Sequence, residues 1–375
     1  MSASEAKPQN AIKFERMPIQ HYPEWGFRNS TQMFPLRMNF IFLNGGQGDY
    51  ITWLQCIRWL ADQATWIDGT LICPIYLKEL AEYFLKPYPR WGVKTYKELQ
   101  DMPHHDDTPF RGPVVLQNES LNATGAHLRT CGWVYFTNKE CAPAEVDETM
   151  SRNLGYEVMW DSYPQFKQSD LDVVPLPEEA QGLERGKYIV ITTGNTTPSR
   201  HIKPEYYNYL IEYVKGLGYL PVFLGKETVE TGNAKNIHTE YNRSVKYDLG
   251  LNLINKTSLM QAASILSKAA LVVGHDNGLL HLAGCTAVPI IFGYNLASPQ
   301  HREPVRPRGK TYNVTLTSAE LACNHCQSKT NFIIGYNFRQ CFYGDLACMP
   351  LLFADKAKRW TDQIDLALAE NACPT

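Results

Sequence analysis

Apolar positions along the chain form two regions in which short strand patterns alternate with helical ones, separated by a less regular stretch. Met38 to Leu43 is a mostly apolar run, broken only by Asn39, and reads as a buried strand. Asn44-Gly45-Gly46-Gln47-Gly48-Asp49 follows as a turn, and Ile51, Leu54, Ile57, Leu60, Ala61 and Ala64 then recur on one helical face. Thr70 to Pro74 completes a strand, loop, helix, strand unit. From Lys86 to Gln168 only Val114 to Gln117 and Trp133 to Phe136 read as strands, with proline, glycine and paired acids between them. Leu171 to Gly186 has the proline and charge content of a linker.

Regular alternation then resumes. Strands are predicted at Lys187 to Thr192, Tyr219 to Leu224, Ala270 to Val273 and Val288 to Phe292. Helices are predicted at Pro204 to Lys215, with proline in the first turn, at Ser258 to Lys268, from Leu279 to Cys285, and at Phe353 to Glu370. Such alternation predicts an α/β protein with parallel sheets covered on both faces. The expected organisation is an N-terminal arm over 1–37, where Pro8, Pro18, Pro23 and Pro35 exclude a long helix, a first domain over 38–175, a second over 176–350, and a terminal helix within 351–375. Two such domains side by side set the carboxyl ends of both sheets at a shared cleft, where ligands of open α/β sheets bind.

Composition narrows the partners. A chain of 375 residues suits two cores, and 44% apolar with 20% charged residues is ordinary for a globular protein. A net charge of -2 offers no overall basic field, so nucleic acid is not indicated. No apolar run approaches the roughly 18 residues of a membrane span. The polar N-terminus lacks the apolar core of a secretory signal, so the expectation is a cytoplasmic protein with reduced cysteines. Nothing in the pattern sets an oligomeric state.

The chemistry concentrates in the loops after strands. In Gly45-Gly46-Gln47-Gly48-Asp49 the glycines admit close approach to a ligand or its phosphate, and Asp49 begins a helix. Asp49 reads equally as a helix cap and as a general base facing the cleft, and the two roles are compatible. A dinucleotide fingerprint fails here, because Ile51 stands where its third small residue is required. In Gly274-His275-Asp276-Asn277-Gly278-Leu279-Leu280-His281, a strand runs into a helix start whose N–H groups suit a diphosphate. Asp276 or Asn277 is its candidate cap, and His281 faces either the ligand or the core. Arg200, His201 and Lys203 precede a helix and read either as a solvated surface or as counter-charges for a leaving diphosphate. Glu227 or Glu230, near Gly225, is a candidate for ribose hydroxyls.

The segments "NGGQGDYITWLQCIRWL", "TTGNTTPSRHIKPEYYNYLIEYVKGLGYLPVFLGKE" and "NKTSLMQAASILSKAALVVGHDNGLLHLAGCTAVPIIFGYN" occur in the order found in glycosyltransferase family 9. The chain resembles that family of ADP-heptose heptosyltransferases from about Met38 to Pro307, most specifically in Asp276-Asn277-Gly278-Leu279-Leu280-His281-Leu282-Ala283. The resemblance implies a GT-B fold, two Rossmann-like domains with parallel sheets facing a central cleft. It also implies an inverting transfer, needing no metal for catalysis, in which Asp49 is the base. Asn277, Gly278 and Leu279 match the family's diphosphate cradle, with Asp276 and His281 beside it. Arg200, His201 and Lys203 compete for one basic role, since the family's tryptophan is missing there. Asn277 stands where Ser or Thr is usual, which bears on the donor sugar more than on the fold.

Cys323-x2-Cys326-x14-Cys341-x6-Cys348 suits four-thiolate coordination of a structural zinc or iron. The autotransporter-modifying branch of the family carries a metal finger in this region. The resulting expectation is transfer of a sugar, heptose from ADP-heptose first, to a lipopolysaccharide core or a protein hydroxyl. The alternatives are another nucleotide-sugar, a modified-DNA acceptor, or a non-catalytic nucleotide-sugar-binding module.

Overall fold

A computed structural model describes residues 36–41, eight helical positions between 47 and 61, and residues 67–95, 97–98, 114–117, 133–136, 164–193, 202–226, 244–295, 298–304, 306–325 and 347–372. Two sheets organise them. The first has the order β3-β2-β1-β4-β5, built from β1 (Leu36–Ile41), β2 (Ile67–Cys73), β3 (Trp91–Thr95), β4 (Val114–Gln117) and β5 (Trp133–Phe136). Only the β4–β5 pair is antiparallel. β1 begins and ends two residues before the predicted strand.

The second sheet is six-stranded and wholly parallel. It comprises β6 (Tyr188–Thr193), β7 (Leu220–Gly225), β8 (Leu251–Asn252), β9 (Leu271–His275), β10 (Ile290–Gly293) and β11 (Thr311–Val314). Its order is β11-β10-β9-β6-β7-β8, the doubly wound order of a dinucleotide-type sheet, with the direction of winding reversing between β6 and β9. In the first sheet the corresponding reversal lies between β1 and β4.

Both faces of the second sheet are covered, as its uninterrupted apolar strands require. Tyr188, Val190, Val222, Leu224, Val272, Ile290 and Phe292 face one core, and Ile189, Ile191, Phe223, Leu271, Val273 and Ile291 face the other. Each such side chain contributes roughly 1.5–3 kcal/mol of burial, so a charge at Val190 would remove that and add an unpaired buried ion. The first core is shared between the two sheets. It includes α4 (Leu259–Lys268) and α5 (Gly278–Gly284) beside the second sheet, α1 (Ile75–Leu85) beside the first, and Tyr50, Ile51, Leu54, Ile57 and Ala61 of the helix after β1. The other core is sealed by α3 (Pro204–Gly216) and α8 (Ala354–Ala372), the latter through the fully buried Trp360.

The segment with linker composition is packed. α2 (Gln168–Asp172) buries Leu171, and the single turn at Glu178–Ala180 buries Ala180. Ser264 Oγ donates to Leu171 O at 2.8 Å and Gln261 Nε2 to Pro175 O at 2.8 Å, so α4 satisfies the strap's carbonyls. Prolines here shape a fixed path along a helix. The same Gln261 closes a capping box with Ser258 at the start of α4.

Candidate active site

The two reversal points face each other. Gly48 is buried in the helix after β1, and a Cβ built on it would lie 2.6 Å from His281 Cδ2, in α5 of the second sheet. A Cβ on Gly278 would lie 2.6 Å from Gln47 Cβ in the same way. Neither helix start could approach the other with a side chain at these positions, and this contact is what the two glycines permit. Gln47 and Gly48 of the first glycine-rich stretch thus meet Gly278 and His281 of the second at one seam.

On the second sheet, Asn277 is the cap of α5. Its Oδ1 accepts from Leu279 N at 3.0 Å and Leu280 N at 3.2 Å. Its Nδ2 donates to Thr192 Oγ1 at 2.8 Å, which ties the end of β9 to the end of β6 across the reversal point. The Leu279 N–H, expected to hold a diphosphate, is therefore held by Asn277; a diphosphate oxygen would have to take the place of Oδ1.

The Asp276 side chain turns away from that cap. Its buried carboxylate accepts from Arg302 Nε at 3.0 and 3.3 Å, and His281 Nε2 stands 3.6 Å from Oδ1. Arg302, in α6 (Pro299–Arg302) after β10, is itself buried. His281 lies edge-on to Phe292 at 5.5 Å, and Phe292 stacks on Tyr294 at 4.4 Å. His281 is thus buried among core side chains at the seam. His275 is a buried strand residue paired with Gly293, on which Trp360 packs, so it belongs to the sheet.

Lys203 is exposed as the residue before α3, at the carboxyl end of β6. Lys226 follows β7, and its Nζ stands 5.7 Å from the ring centroid of Tyr76 at the start of α1, a second contact between the two sheets' carboxyl ends. Burial raises the Tyr76 hydroxyl above its usual pKa, and Cys73 beside it is pushed up to about 11 by burial despite a hydrogen bond with Tyr50. Gly45, Gly46, Asp49, Arg200, His201, Glu227 and Glu230 lie outside the described residues.

Cys326 and Cys341 also lie outside them. Cys323 is half-buried, and Cys348 is buried at the start of α7 (Cys348–Leu352). Asn295 links their surroundings: its Nδ2 donates to Cys348 Sγ at 3.6 Å, and its carbonyl accepts from His325 N, two residues beyond Cys323, at 3.0 Å. An N–H donated to sulfur suits a thiolate ligand, so Cys348 fits a metal site in kind. Among the described residues no group of three His, Cys, Asp or Glu side chains is placed to hold a metal.

Thr192, Arg302, Phe292, Gln47 and Tyr76 were not singled out in the sequence. Arg302 follows a predicted strand in "SPQHREP", so the rule that drew attention to the other strand-end loops applies to it equally.

Residues 151–336 match the profile of glycosyltransferase family 9 (heptosyltransferase). No curated protein sequence matches the chain. Among solved structures, the iron-containing dodecameric glycosyltransferase TibC from enterotoxigenic E. coli H10407 superposes with a TM-score of 0.57 at 15% identity, over 89% of this chain and 76% of that one. A TibC complex with ADP-D-beta-D-heptose gives the same score and identity over 92% and 82%. E. coli ADP-heptose lps heptosyltransferase II superposes with a TM-score of 0.52 at 14% identity, over 90% of this chain and all 100% of that one. These likenesses establish the GT-B fold. No helix among the described residues is long and apolar enough to cross a membrane.

Proposed function

We propose that this chain, a glycosyltransferase whose residues 151–336 match the family 9 profile, transfers heptose from ADP-heptose with inversion, using Asp49 as the general base. The observation that carries the reading is the contact of Gly48 with His281, which sets the residue bonded to Asp49 against the start of α5. In the proposed step an acceptor hydroxyl attacks the anomeric carbon while Asp49 takes its proton. The bond from that carbon to the diphosphate oxygen breaks on the opposite face, and ADP departs. A single displacement of this kind inverts the anomeric centre.

The donor's diphosphate is assigned to Asn277, Gly278 and Leu279, with Lys203 and Arg200 supplying counter-charge and Glu227 the ribose contact. Two TibC structures support the donor choice, one of them a complex with ADP-D-beta-D-heptose. The acceptor is a lipopolysaccharide core or a protein hydroxyl. The cytoplasmic face of the cell is the proposed location, as the place where nucleotide-sugars are made available.

Two measurements test this. ADP and ADP-heptose should raise the melting temperature more than UDP- or GDP-sugars do, because a ligand bound only to the native state stabilises it. Asp49→Asn should abolish ADP release from ADP-heptose while leaving that stabilisation intact. Turnover retained by Asp49→Asn would reduce Asp49 to a helix cap.

We further assign Cys323, Cys326, Cys341 and Cys348 to a structural zinc or iron, with Asn295 supporting the Cys348 thiolate. The printed description of TibC as iron-containing supports the choice of metal. Elemental analysis of protein purified without added metal should find about one ion per chain. Metal-free, folded protein would remove the assignment.

A further inference from the structure

We infer that Arg302 is a positioning residue for the transfer step, acting through Asp276 and His281 on the backbone at Gly48. Four elements contribute to one continuous chain of contacts. Arg302 comes from α6, Asp276 from the end of β9, His281 from α5, and Gly48 from the helix after β1. Arg302 Nε divides its hydrogen bond between both Asp276 oxygens at 3.0 and 3.3 Å, which fixes the carboxylate plane. Asp276 Oδ1 is then 3.6 Å from His281 Nε2. Along the same edge of the imidazole, Cδ2 beside Nε2 reaches Gly48, with no room for even a methyl group between them. Phe292, at 76° to the imidazole, closes a third side.

All three polar side chains are buried, at 6% exposure for Arg302, 3% for Asp276 and 1% for His281. A buried ion pair is often no more stabilising than a well-packed apolar replacement, so stability alone is a weak account of Arg302. Orientation is a better one. The residue past Gly48 is Asp49, so the tilt of the imidazole sets the footing of the base loop against the start of α5. The inference rests on the reading of Asp49 as base. Arg302 Nε is directed at Asp276 and not at the cap of α5, so its removal should act on the rate constant and spare donor affinity.

The test uses the full-length protein, ADP-heptose as donor and water as acceptor, with ADP release as the readout. In that reaction a water oxygen bonds to the anomeric carbon, Asp49 takes the proton, and ADP leaves. Arg302→Lys keeps the charge and should lower kcat at least tenfold, with the donor KM within threefold and ADP-induced stabilisation unchanged. Arg302→Met/Asp276→Asn removes the uncompensated charge together with the pair. It should melt within a few degrees of wild type and still show at least a tenfold lower kcat. Wild-type kcat in the double variant, or a loss confined to KM, overturns the inference, since a purely structural pair would be restored with stability. Asp49→Asn separates the two failures. If that variant turns over normally, the base assignment is wrong; if it is dead while both Arg302 variants are normal, only the role of Arg302 falls.

Discussion

Substituting Gly48 by alanine tests the seam directly. The added Cβ would sit 2.6 Å from His281 Cδ2, 3.2 Å from Nε2 and 3.3 Å from Cγ. Carbon atoms rest at about 3.5 Å or more, so the imidazole or the helix after β1 must give way by roughly 1 Å. The ring is poorly placed to yield. It is 1% exposed, with Phe292 on its edge and an Asp276 held by Arg302 beside Nε2. Overpacking of this kind costs about 1–3 kcal/mol. For a chain of this size that corresponds to a melting point lower by several degrees, at roughly 2–4 °C per kcal/mol. If the displacement passes to Asp49, the proposed base, a misplacement of about 1 Å lowers kcat by about a hundredfold. Calorimetry and ADP release from ADP-heptose read the two effects separately. Gly48→Ala with wild-type melting and wild-type kcat would show that the seam opens freely and that the contact does not position anything.

Other consequences follow from the same geometry. Asn277→Ala removes a cap and should destabilise the free protein by about 1 kcal/mol. It also frees the Leu279 and Leu280 N–H groups, so ADP should raise its melting temperature more than that of wild type; a smaller rise would mean that the diphosphate does not use those groups. Burial holds the Cys73 thiol protonated, its pKa pushed up to about 11, whereas an unfolded thiol ionises near 8.5. The folded state thus retains a proton that the unfolded state loses, and this site's contribution to stability should be full below about pH 8.5 and fall between there and about pH 11. Cys73→Ser should flatten that alkaline limb of the melting curve, and an unchanged limb would assign it elsewhere. Cys73 in the native protein should also resist alkylation at pH 8, which mass spectrometry of labelled peptides checks.

Much of the second half was legible because its strands are buried on both faces. Continuous apolar runs such as Tyr188 to Ile191, closed by glycine or a cap, leave no alternative period to read. Leu171 to Gly186 reads as a linker for a physical reason. Its prolines and charges are those of exposed chain, and only the side chains of α4, distant in sequence, reveal that its carbonyls are satisfied. Of the site, Asn277 and Gly278 declared themselves by helix-start chemistry. Arg302 did not, because an arginine after a strand carries no mark of the carboxylate it will meet.

By itself the sequence determined the period of the second half's main strands and helices, the glycines and caps at the strand ends, and the order of the motifs. Those are local properties: backbone freedom at glycine, side-chain capping, and the spacing that puts apolar groups on one face. The tertiary structure decided that the reversal points of two sheets meet. It decided that Asp276 is committed to Arg302, and that His281 fills the space Gly48 leaves open. The Asp276–Arg302 pair joins groups 26 residues apart and the Gly48–His281 contact groups some 230 apart, and no local preference encodes the second until the two sheets have closed on their shared core.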